Sequence, residues 1–147
     1  MADSFEFSFE GLEELEQDLK KAIRKAPIQA KETLTEVAKD FKKSAKKRAK
    51  SETKHVKRNG DGEKKAIARK WGHKLVDDGV GSTALVWNSA PHFHLVENGH
   101  QVVRGGRVVG FAPGKHIMEK TRNEYEDIVP ERFEKMVDDI LRESDLD

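Results

Sequence analysis

The sequence predicts an α+β fold, an antiparallel sheet of about four strands with two N-terminal helices and one C-terminal helix against it. Three observations in the 147 residues support this. Apolar residues recur at helical spacing near both ends of the chain. The middle of the chain carries short runs rich in Val, Trp and Phe, bounded by glycine turns. The links between those runs are short, as antiparallel hairpins require and parallel crossovers do not allow. The length fits one domain over residues 1–147.

Phe5, Phe7 and Phe9 alternate with Ser and Glu, the period of a half-buried strand. Leu12, Leu15, Leu19 and Ile23 follow at helical spacing. Acids at Glu13, Glu14 and Glu16 and bases at Lys20, Lys21, Arg24 and Lys25 suit the dipole of a helix over residues 11–25. Pro27 is expected to end that helix. A second helix then presents Leu34, Val37, Ala38, Phe41 and Ala45 as one stripe. Residues 71–76 and 84–87 read as a hairpin around Asp77, Asp78, Gly79 and Gly81. Pro91 opens a short helical turn, residues 92–98, that Gly99 closes. Residues 101–111 are nearly symmetric about Gly105 and Gly106, which marks a two-residue turn with positive φ at both centres. Ile117, Thr121, Tyr125 and Ile128 begin a last helix, bent at Pro130, that continues through Phe133, Met136, Val137, Ile140 and Leu141.

Charge is strongly segregated under a formal net charge of only +1. Residues 42–70 hold thirteen Lys and Arg against Glu52, Asp61 and Glu63, and only Val56 and Ile67 as large apolar side chains. Such a stretch cannot bury itself, so the helix end is expected to run into a basic flexible loop at about 51–66. Lys46, Lys47, Lys50, Lys54, Lys57 and Arg58 are the candidate electrostatic contacts of this segment. A solubilising face, an acidic neighbouring subunit and nucleic acid all fit the charge alone. With no aromatic in the segment, base recognition is disfavoured and only weak, non-specific DNA contact is expected there.

Without cysteine the chain has no disulfide, thiolate nucleophile or Cys-ligated zinc. No apolar run reaches the roughly 18 residues of a membrane span, and the acidic N-terminus is unlike a secretory signal, so a soluble chain without a membrane partner is expected. His92, His94, Glu97 and His100 lie within nine residues, with His116 beyond. On a helical turn, positions two apart diverge, so no metal site is expected. Residues 110–115 read Gly-Phe-Ala-Pro-Gly-Lys, with one residue too few between the glycines and His116 where a phosphate loop needs Ser or Thr. No Ser sits in a nucleophile elbow, so neither catalytic residue nor cofactor is expected, and an enzyme is disfavoured.

The order of these elements is itself distinctive. Phe9-Glu10-Gly11-Leu12-Glu13-Glu14-Leu15, two helices, Leu95-Val96-Glu97-Asn98-Gly99-His100, and then Arg104-Gly105-Gly106-Arg107-Val108-Val109-Gly110 before a final helix resemble the small head–tail joining or tail-completion proteins of long-tailed bacteriophages and prophages. The resemblance implies a non-enzymatic virion protein that forms a homo-oligomeric ring between the head connector and the tail tube or its terminator, assembled in the host cytoplasm. The runner-up, from charge alone, is a small nucleic-acid-binding protein using residues 42–70. For the first reading, the 102–109 hairpin is the candidate assembly surface, through Val102, Arg104, Arg107 and Val109. A straight register pairs Arg104 with Arg107, Val103 with Val108, and Val102 with Val109, placing both arginines, Val102 and Val109 on one face. A domain this small is expected to cover one hairpin face only.

Overall fold

The computed structural model describes residues 11–53 and 67–146. The expected Phe5–Phe9 strand and nearly all of the expected loop at 51–66, including Lys54, Lys57 and Arg58, lie outside them. The described elements are α1 (Leu12–Glu52), β1 (Trp71–Asp77), β2 (Ser82–Asn88), α2 (Phe93–Asn98), β3 (Gly99–Arg104), β4 (Arg107–Pro113) and α3 (Ile117–Glu143), and residues 67–69 add a short helical turn before β1. The chain divides into two compact units, Met1–Thr33 with Glu131–Asp147, and Leu34–Pro130.

Where two N-terminal helices were expected there is one, of 41 residues, with Pro27 inside it. Pro27 has no N–H to donate to the carbonyl of Ile23, but both residues face solvent, and Ile23 is 70% exposed. Water can take up the freed carbonyl, so the proline is tolerated in the helix interior. Pro130 lies likewise within α3, again on an exposed position.

The strands form two separate two-stranded antiparallel ribbons, β1–β2 and β3–β4, in place of one sheet of about four strands. The segment between β2 and β3 contains Pro91 and α2, so β3 does not return beside β2 through a tight turn. In β1–β2 the pairs Trp71↔Asn88, His73↔Val86 and Leu75↔Ala84 share the more buried face. On the other face the Trp87 ring lies so close to Gly72 that a β-carbon there would sit 2.6 Å from it. The turn is fixed by Asp78, whose carboxylate accepts from the N–H groups of Val80 at 3.0 Å and Gly81 at 2.8 Å. Those two donors favour the ionised form and hold the Asp78 carboxyl below its ordinary value.

The core of the Leu34–Pro130 unit joins Ala45, Ala49, Ile67, Trp71, Ala90 and Ile117, with Phe41, Val86, Phe93, Val96 and Met118 against them. Alanines on α1 leave room for aromatic rings. Trp71 meets Phe93 edge to face at 5.4 Å, and Phe41 meets Tyr125 at 5.2 Å. The Tyr125 hydroxyl shares a 3.1 Å hydrogen bond with that of Ser44. In the other unit Ile140 and Ser144 are buried, and Lys25 donates to the Glu143 carboxylate at 3.1 Å. There Leu12, Leu15, Leu19 and Ile23, the residues at helical spacing on α1, are between 46 and 70% exposed.

Candidate assembly surface

The β3–β4 hairpin closes through Gly105 at φ 54° and Gly106 at φ 76°, a turn whose two left-handed residues favour glycine. Directly below the turn, Arg104 stands opposite Arg107, and Val103 opposite Val108. The register then shifts. Val102 faces Gly110, and Val109 is the extra residue of a bulge, so the expected Val102–Val109 pair does not form. With no side chain at Gly110, the strand can bend and accommodate one residue more than β3 carries.

Neither face of the hairpin tip is covered, against the expectation that one would be. Val103 is 57% exposed, Val108 59%, Val109 56% and Phe111 64%, while Val102 alone is half-buried. Burying any one of the large apolar side chains fully would contribute about 1.5–3 kcal/mol. Two arginines opposite each other cost a few tenths to about 1 kcal/mol unless an anion lies between them. Of these residues, Phe111 and the two arginines are of the types enriched at interface cores.

The base of the hairpin is anchored through the Leu95–His100 stretch. Gly99, at φ 83°, leads from α2 directly into β3. The Glu97 carboxylate reaches the start of α3, accepting from the N–H of Met118 at 2.9 and 3.1 Å and from that of Glu119 at 3.2 Å. The backbone carbonyls of Val96 and Glu97 accept from the N–H groups of Lys115 at 2.7 Å and His116 at 3.2 Å. A β-carbon on Gly114 would overlap the Glu97 carbonyl, and one on Gly99 would lie 2.7 Å from that of Ala112. Glu97 is therefore an N-cap supplied from another element. The sequence shows that a cap must come from elsewhere, though not that Glu97 supplies it: α3 is preceded by Gly114, Lys115 and His116, none of which has a carboxylate or hydroxyl to cap it.

His100 Nδ1 is 3.5 Å from the Leu95 carbonyl, and His116 Nδ1 is 2.9 Å from Glu119. Among the described residues no three His, Cys, Asp or Glu come together as metal ligands.

Of the candidate electrostatic contacts, Lys46, Lys47 and Lys50 are exposed and share one side of α1. Two other bases of the run are engaged. Lys42 lies 3.0 Å from His73 Nδ1, and Arg48 pairs with Glu124 at 2.9 Å. No helix among the described residues is long and apolar enough to cross a membrane.

Residues 13–99 match the family model HK97-gp10_like, described as "Bacteriophage HK97-gp10, putative tail-component". The match covers α1, β1, β2 and α2 and ends at Gly99, where the hairpin begins. Neither the curated proteins nor the solved structures compared with the chain give a match.

Proposed function

The chain belongs to the HK97-gp10-like family of bacteriophage tail components, and from that premise we propose that it is a structural, non-enzymatic virion subunit that forms a ring and joins the head connector to the tail tube. The observation that carries this reading is the β3–β4 tip, which presents Val103, Val108, Val109 and Phe111 to solvent beside a facing pair of arginines, on a base that α2 and α3 hold fixed. A rigid base loses little conformational freedom on docking, and the apolar tip supplies burial. The arginines supply orientation, since an acidic neighbour relieves their mutual repulsion. The partners are then further copies of the chain, the connector, and the tube or its terminator.

Mass measurement of the purified chain, alone and mixed with connector or tail-tube proteins, tests the reading. A ring-sized species, or a defined complex with either partner, is the expected result. A chain that binds neither protein and joins no tail overturns it.

A further inference from the structure

Beyond the hairpin, the structure carries two charged stripes of opposite sign and equal spacing. On α1, Lys43, Lys46 and Lys50 stand at i, i+3 and i+7, with Lys39 one turn earlier and Lys47 beside them, all exposed. Lys43 and Lys47 lie on the side of the helix opposite the buried Ala38, Ala45 and Ala49, and Lys39, Lys46 and Lys50 flank that side. On α3, Glu131, Glu134 and Asp138 stand at i, i+3 and i+7, also exposed and opposite the buried Ile140. At 1.5 Å per residue, each triplet extends about 10 Å along its helix. Like charges at these spacings repel within each stripe; Asp40, three residues before Lys43, and Lys135, four after Glu131 and three before Asp138, offset part of that repulsion, and an opposite charge from outside relieves the rest.

The two stripes belong to different units, whose overall charges also oppose. The unit of Met1–Thr33 and Glu131–Asp147 has eight Lys and Arg against fifteen Asp and Glu, a formal −7; the Leu34–Pro130 unit has twenty against twelve, a formal +8.

We propose that the lysine stripe on α1 of one copy docks against the acidic stripe on α3 of a second copy. This contact deepens the ring-forming reading above and rests on it. It is heterologous: each copy gives its basic face to one neighbour and its acidic face to the other, so the arrangement propagates until a ring closes. Matched triplets fix the register of neighbours, which a diffuse charge difference would not. Exposed ion pairs are individually weak and screened by salt, so the contact orients copies and loosens as ionic strength rises.

The test is the mass distribution of the full-length chain over a concentration series, at about 0.01 M and about 1 M salt, where charges are felt over about 30 Å and about 3 Å. Low salt is expected to promote association. Lys43→Glu with Lys46→Glu should weaken it about tenfold or more, and Glu131→Lys with Glu134→Lys should do the same. Combining all four reversals in one chain should restore association, because the pairs are merely exchanged. Unfolding midpoints verify that each variant folds, and Lys→Gln and Glu→Gln versions remove charge without repulsion should a reversal fail to fold. A wild-type chain that stays monomeric throughout the series at low salt overturns the proposal, as does a four-site variant that folds without regaining association. If lysine reversal leaves the mass unchanged and abolishes binding to a short DNA duplex, the stripe is a nucleic-acid surface and the proposal fails. Association that ignores both stripes, in a chain that still binds connector or tail-tube protein, removes this contact and leaves the proposed function standing. Stripe-dependent association in a chain that binds neither does the reverse.

Discussion

At the scale of single residues, the site is held by Glu97 and the glycines around it. Glu97→Ala should cost roughly 1 kcal/mol in chemical denaturation, because the first N–H groups of α3 lose their acceptor. Glu97→Gln keeps an oxygen in place and should lose less, the difference being the charge toward the helix dipole. Gly114→Ala should cost more, about 1–3 kcal/mol, since the new methyl meets the Glu97 carbonyl backbone rather than a side chain that can move. At Gly105 a methyl would meet nothing within 4 Å, so alanine there should cost only the left-handed backbone, about 1 kcal/mol. The β1–β2 turn gives a pH signature. Asp78 titrates below its ordinary value of 3.8 because two backbone N–H groups stabilise its charge. A depressed carboxyl contributes stability above its unfolded pKa and loses it as pH falls through the folded one. Wild-type stability should therefore fall more steeply than that of Asp78→Asn below about pH 4, as thermal midpoints across that range will show.

At the scale of elements, local patterns were legible and long-range ones were not. Gly105-Gly106 marked its turn, Gly99 closed α2, and the hairpin expected over 71–76 and 84–87 formed as Trp71–Asp77 with Ser82–Asn88, because a few neighbouring residues decide each. Pro27 misled because the 41-residue helix continues through it: the carbonyl it leaves without a donor lies on the exposed side of α1, where water can take it up, and the helix absorbs the remaining cost. The bulge at Val109 and the separation of the two ribbons depend on Gly110 and on α2, and symmetry about a turn does not encode them. The Glu97 cap spans 21 residues of sequence, beyond any local pattern. The continuous α1 makes a direct prediction: Pro27→Ala restores a backbone donor to the helix and should raise stability by about 2 kcal/mol, after the looser unfolded chain is allowed for. A lowered denaturation midpoint would mean that the helix does not run through residue 27. In the hairpin, Val108→Ser with Phe111→Ser should change monomer stability by no more than about 0.5 kcal/mol, because both side chains already face water. Binding to connector or tail-tube protein should drop sharply, as pull-down of the folded variant would reveal.

At the scale of the whole molecule, large apolar side chains stand exposed on the described residues and charge is segregated along the chain. Leu12, Leu15, Leu19 and Ile23 on α1, and Val103, Val108, Val109 and Phe111 on the hairpin, are exposed. The charge of −7 on one unit and +8 on the other adds direction to whatever those surfaces bind. Charge segregation was legible from the sequence, and so was the family. On the hairpin tip the Val103–Val108 and Arg104–Arg107 pairs were legible, and the place of Val109 was not, because a straight register conceals the bulge. The central claim, that this tip joins head to tail, is tested most directly by placing Arg104→Glu and Arg107→Glu together in the phage or prophage copy of the gene and counting particles. The account predicts an unfolding midpoint close to wild type, with separate filled heads and finished tails accumulating and infectivity lost. Complete infectious particles at wild-type yield would contradict it.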